Sequence, residues 1–175
     1  GSYRWPNGHY SMNGKAYLNW IEPGEITTVT VSGTYRIYRF DHPSARSGSH
    51  RLALKVANRD GQELWVGFRR AFTDIPSLSS GAYLVWANAQ NAHRLLDTTP
   101  LSWGNDSPAE DRYDAALATG KTYTDPSGSV RITNLGWGGS GPYEYLDLQV
   151  TLGSGFPYEM GFGVFTNATL SAAGS

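Results

Sequence analysis

The sequence contains no cysteine. Disulfide frameworks, thiolate metal sites and cysteine nucleophiles are excluded together. The compartment stays open, because a chain of 175 residues can bury a sufficient core without covalent staples. Charge is also scarce, at 17% of residues, and nearly balanced: 14 Lys+Arg against 15 Asp+Glu give a formal net of −1. With no basic run to neutralise phosphates, a dedicated nucleic-acid binder is excluded. No apolar stretch approaches the roughly 18–20 residues that a membrane span needs, and no charged segment followed by an apolar one marks a targeting signal. Gly1-Ser2 reads as the scar of a removed tag, and the chain as a piece of a longer one. What the sequence does have is rings and glycines: 6 Trp, 11 Tyr, 6 Phe and 21 Gly. So many aromatics oppose disorder, and the length fits one domain.

Residues 1–25 read as a lead-in. Trp5-Pro6-Asn7-Gly8 is turn chemistry. Met12, Ala16 and Trp20 recur four apart, which predicts a short helix before Glu22-Pro23-Gly24 breaks it. From residue 26 the period changes to two. Segments 26–31, 35–40, 52–56, 64–68, 130–133 and 145–152 alternate apolar with polar residues, and 82–87 is almost continuously apolar, as in a strand buried on both faces. Segment 161–166 completes the series, and 111–118 has room for one or two helical turns. Short strands punctuated by Gly, Pro, Asn and Asp predict an all-β fold: an antiparallel, jelly-roll-like β-sandwich over 26–170, with a tail at 171–175. Residues 97–125 form a long acidic loop, and 136–143 a glycine-rich loop presenting Trp137 and Tyr143.

No catalytic constellation emerges. His9, His42, His50 and His93 lack the spacing of a zinc-hydrolase helix. Gly139-Ser140-Gly141 lacks the frame of a nucleophile elbow. Among 15 acids, nothing selects a glycosidase pair. The chain is expected not to be an enzyme. No cofactor is required; a structural calcium ion is the one candidate, with Asp97, Asp114 and Asp125 as ligands, set against ordinary turn capping by the same carboxylates. The aromatics point to sugar, since pyranose faces are apolar and stack on flat rings. Trp20 and Trp86 are assigned to the core. Trp137 and Tyr143, flanked by glycines, are the leading ligand-binding residues, followed by Trp65 and Tyr38, whose strand neighbours alternate with apolar residues, and by Trp103 in a loop.

The order of motifs resembles a known family. Gly8-His9-Tyr10-Ser11-Met12-Asn13-Gly14-Lys15-Ala16-Tyr17-Leu18-Asn19-Trp20-Ile21 is similar to the segment that closes the catalytic domain of gametolysin-like and immune-inhibitor-A-like secreted zinc metallopeptidases. Gly33-Thr34-Tyr35-Arg36-Ile37-Tyr38, Leu64-Trp65-Val66-Gly67-Phe68-Arg69-Arg70 and Gly120-Lys121-Thr122-Tyr123-Thr124-Asp125-Pro126 resemble parts of the β domain that follows it. Asn19 stands where that family has glycine before the tryptophan. The family's zinc ligands and general base lie upstream, so no catalytic residue transfers to this chain. The resemblance implies a C-terminal, non-catalytic domain of a secreted bacterial protein, whose partner is an upstream catalytic domain of the same chain.

Together these readings predict an extracellular carbohydrate-binding accessory module whose partner is a polysaccharide or another extracellular polymer, with neither nucleic acid nor membrane involved. Two alternatives stand beside it. One is a structural domain that stabilises a metallopeptidase by burying residues 3–21 against it, with aromatics near Trp5, Tyr17 and Trp20 forming an apolar patch on the isolated piece. The other is a small β-sandwich enzyme acting on polysaccharide.

Overall fold

The computed structural model describes residues 10–46, 49–59, 62–71, 76–88, 93–102, 111–126 and 129–153. Its strands form two sheets. Sheet one runs β1 (Ile26–Val29), β3 (Ala53–Arg59), β4 (Gln62–Gly67), β5 (Tyr83–Asn88), β6 (His93–Leu95). Sheet two runs β2 (Gly33–Tyr38), β9 (Tyr145–Leu152), β8 (Val130–Gly138), β7 (Thr122–Thr124). The two sheets make the expected all-β sandwich.

One pairing departs from the antiparallel rule: β1 lies parallel to β3. The chain leaves β1 for sheet two, forms β2 there, and only then returns to sheet one. A strand reached by such a crossover can pair parallel, which a tight hairpin forbids. The short β6 and β7 were not anticipated; His-Arg-Leu and Thr-Tyr-Thr are too brief to show a period. The strand expected at 161–166 lies outside the described residues.

Alternation builds the main core between the sheets. Leu54 and Val56 of β3, Leu64 and Val66 of β4, and Leu84 and Trp86 of β5 meet Ile132 of β8 and Leu146, Leu148 and Val150 of β9. A second apolar cluster covers the outer face of sheet one, where Trp65, Tyr83, Val85 and Ala87 meet Met12, Phe40 and Leu52. The helix α1 (Met12–Tyr17) carries Met12 into that cluster. Gly67 makes the approach feasible, because a Cβ there would lie 2.9 Å from Met12 Sδ. Asn19, just past the helix, has φ +56°, the left-handed conformation that glycine adopts freely and asparagine tolerates best among other residues. Asparagine in place of glycine is therefore compatible with the turn that ends α1.

Sheet two turns a polar face outward. Thr34 and Arg36 on β2 face Gln149 and Asp147 on β9. The segment expected as a loop from residue 136 is partly strand: β8 continues through Gly138 after a bulge between Asn134 and Gly136, and a 3₁₀ turn follows at Gly141–Tyr143. Asn134 holds the bulge from inside, its Nδ2 donating to Leu117 O at 2.7 Å and its Oδ1 accepting from Gly136 N–H at 2.9 Å. The turn expected near 111–118 is a 3₁₀ turn at Asp111–Asp114.

Removing the side chain that seats α1 tests whether the helix belongs to the cooperative unit. Met12→Ala is expected to cost about 2–5 kcal/mol in global stability, read as a lower urea midpoint with an unchanged slope. An unchanged midpoint would mean that the helix unfolds separately.

Candidate functional site

Register brings Tyr38 of β2 opposite Tyr145 of β9, and Arg36 opposite Asp147. These side chains, all on one face, are joined by two more from loops. Tyr38 stacks on His50 with ring centroids 3.8 Å apart and planes 15° from parallel. His50 meets Tyr143 edge-on at 5.6 Å, and Tyr38 meets Tyr145 at 6.1 Å. The Arg36 guanidinium lies 3.6 Å from the Tyr145 ring centre and makes a bidentate pair with Asp147, Nε–Oδ1 and Nη2–Oδ2 both at 2.8 Å. Planar pairing of this kind fixes both partners in position. Thr34 Oγ1 donates to Gln149 Oε1 at 2.9 Å further along the same face. The result is a cluster of rings bordered by oriented hydrogen-bonding groups, with Tyr143 the most open at 56% exposure.

A charged network beneath this cluster sets its shape. The Asp41 side chain has no exposed surface. It accepts hydrogen bonds from Arg39 Nε at 2.8 Å, Arg70 N–H at 2.9 Å and Ala71 N–H at 2.6 Å. Burial alone would push its carboxyl upward; the bonds from Arg39 and from those two amides outweigh it and hold the group below its ordinary 3.8. Arg39 reaches onward to Glu144 and to the carbonyl of Gly141. Arg70 binds the other Glu144 oxygen at 3.0 Å and stacks its guanidinium 3.7 Å from the Trp137 ring centre. The loop that carries Tyr143 is thus clamped from both sheets.

The five expected ligand-binding residues fall into three groups. Tyr38 and Tyr143 come together around His50. Trp137 is 42% exposed, but Arg70 covers one of its faces. Trp65 is a correction: it is 7% exposed and belongs to the second core, with Nε1 donating to Glu63 at 2.9 Å. Its strand does alternate, but α1 and the segments around Phe40 and Leu52 cover the face it points to. Trp103 lies outside the described residues. Trp86 is buried as expected, whereas Trp20 is 50% exposed and meets Tyr10 edge-on at 5.4 Å, because the chain has already left the helix at Tyr17. His50, Tyr145 and Arg36 were missed as site residues. Alternation places Arg36 and Tyr38 on one face of β2, but nothing local predicts which residues of β9 lie opposite.

The calcium candidates are also rearranged. Asp125 is buried and its Oδ1 accepts the Val130 N–H at 2.6 Å, capping the β7–β8 connection. Asp97 instead neighbours Asp111 and Asp114, and its Oδ1 accepts the Thr99 N–H at 2.9 Å. Among the described residues no group of three or more His, Asp or Glu is arranged to hold a metal ion. Burial is the main reason the Asp97 carboxyl is pushed up to about 6; Thr99 opposes this, and Asp111 and Asp114 add to it.

No helix among the described residues is long and apolar enough to cross a membrane. No protein-family model matches the chain, and neither a curated protein nor a solved structure matches it significantly.

Two outcomes follow for the charged groups. Asp41→Ala removes one of the two carboxylates that Arg39 binds and leaves two amides without their acceptor, so unfolding is expected to be easier by about 3–5 kcal/mol. Because the folded value is depressed, the Asp41 contribution is full above 3.8 and lost on acidification, so Asp41→Asn flattens the acid limb of the stability curve. Asp97 has the opposite sign. Its raised value stabilises the fold at low pH, and that contribution is lost as pH rises through about 6. Thermal melts from about pH 4 to about pH 7 should therefore show a steeper decline for the parent chain than for Asp97→Asn. Parallel curves would contradict this.

Proposed function

We propose that this chain is a non-catalytic accessory module of a secreted bacterial enzyme, and that it binds polysaccharide at the ring cluster of sheet two. The observation that carries the reading is the convergence of Tyr38, His50, Tyr143 and Tyr145 on one end of a face that also presents Arg36, Asp147, Thr34 and Gln149. Rings offer an apolar surface to a pyranose face, and the surrounding donors and acceptors suit its equatorial hydroxyls. Arg36 already lies against the Tyr145 ring and His50 against the Tyr38 ring, so little side-chain ordering remains for binding to cost. The resemblance to a β domain that follows a secreted catalytic domain is in keeping with an accessory role.

A second reading has its own observation. Tyr10, Tyr17, Leu18 and Trp20 are exposed on and around a helix that is itself anchored by buried Met12. A patch of that kind, apolar and firmly mounted, suits a protein surface better than a sugar. On this reading the α1 side packs against a neighbouring domain of the parent protein and stabilises it. The two readings use different residues and are compatible.

Affinity electrophoresis through gels of soluble polysaccharides tests the first. Each stacked ring is expected to contribute about 1–2 kcal/mol, by analogy with base–aromatic stacking, or roughly five- to thirtyfold in Kd. Tyr143→Ala and Tyr38→Ala should each lose retardation by that factor, while Trp20→Ala keeps it. Absence of retardation across β-glucans, xylans, mannans and chitin derivatives would leave the domain-packing reading alone.

A further inference from the structure

A cleft of about 320 Å³ lies between α1 and the segment that follows β2. Its apolar lining comes from Trp20, Ile21, Phe40, Pro43 and Leu52, and its polar lining from Lys15, Asp41, His42 and Arg46. Lys15 is only 9% exposed. Its ammonium donates to Phe40 O at 2.8 Å and sits 5.3 Å from the centre of the Phe40 ring. A lysine ammonium has three donors, and among the described residues no ion pair satisfies the others.

The neighbouring charges are already matched. Asp41 accepts from Arg39 and two amides, and Arg46 bonds to Glu22 at 2.9 Å and to Glu25 at 3.3 Å. Burying a cation this far without a directly paired counter-ion is costly: burial is the leading reason that the Lys15 value falls below 10.5, the Asp41 charge opposes it, and Arg69 and Arg46 add to it. Asp41 lines the same cleft, but its carboxylate is taken up by Arg39 and two amides, and most of the remaining wall is apolar. A ligand that brings its own carboxylate and an apolar body would satisfy both features at once.

We infer that this cleft is a binding site for an apolar carboxylate of about one residue in size, with the carboxylate on Lys15 Nζ and the apolar group against Phe40, Leu52 and Trp20. Asp41 lines the cleft and also anchors the network under the ring cluster, but none of the rings of that cluster lines the cleft, so the two sites are tested with different variants.

Calorimetric titration with N-acetyl-phenylalanine and with N-acetyl-phenylalaninamide tests the inference on the unmodified chain. The acid is expected to bind at least tenfold more tightly than the amide. Lys15→Met, which keeps the stem and removes the charge, should bring the acid down to the level of the amide while retaining the melting transition. If that variant does not fold, Trp20→Ala removes an exposed wall of the cleft and should weaken the acid by a similar factor. Acid and amide binding within twofold of each other, or unchanged acid binding by a folded Lys15→Met, would overturn the inference. Two further probes distinguish the source of the carboxylate. Tighter binding of a tripeptide ending in phenylalanine than of phenylpropanoate identifies a peptide chain end, and the reverse order identifies a free acid.

Discussion

The arrangement rests on a carboxylate kept out of water. Asp41 collects the Arg39 guanidinium and the amides of Arg70 and Ala71, so the ends of β2 and β4, which belong to different sheets, are drawn to one point. From there Arg39 and Arg70 grip Glu144 from either side. Glu144 lies between Tyr143 and Tyr145, and its carbonyl accepts the Arg39 N–H at 3.0 Å. A single buried charge therefore fixes the loop that presents one ring and the strand that presents the next. Such a network is stable only when every member is paired, because an unpaired buried charge costs several times what a surface pair contributes.

The same network borders the Lys15 cleft. Phe40, whose carbonyl holds Lys15, immediately precedes Asp41, and its own N–H donates to Phe68 O at 2.9 Å. The segment from Arg39 to Ala45 thus works on two sides: it supports the ring cluster through Arg39, and it closes the second apolar cluster through Phe40 and Ala45. A domain that must hold two surfaces in shape can do so economically at the end of a sandwich, where loops from both sheets meet.

Much of the fold was legible from period two alone, and the site only in part. The alternation in β4 separates Leu64 and Val66 from Trp65 correctly, but it cannot tell a face exposed to water from one covered by a distant segment. Trp65 was therefore misjudged, while Tyr38, with the same kind of pattern, is half-buried within the ring cluster. Trp20 failed for a different reason. Its spacing from Met12 and Ala16 is helical, but the backbone turns left-handed at Asn19 and releases it to the surface. The partners of Tyr38 come from β9, more than 100 residues away in the chain, and from His50, which no local period marks. Lys15 looks like an ordinary solvated lysine of a short helix; only the packing of Phe40 across it shows otherwise. The acidic stretch shows the limit of composition. Asp97, Asp114 and Asp125 look alike in sequence, yet Asp125 is buried and accepts the Val130 N–H, and Asp97 shares its surroundings with Asp111 and Asp114.

The most direct measurement of the central claim is a map of backbone amide shifts in an isotopically labelled sample as a soluble oligosaccharide is titrated in. The account predicts fast-exchange shifts concentrated at Thr34, Arg36, Tyr38, His50 and the 143–149 segment, with the amides of Arg70 and Ala71 little changed because Asp41 holds them fixed. Shifts confined to residues 10–20, or none with any of several chemically distinct oligosaccharides, would contradict it.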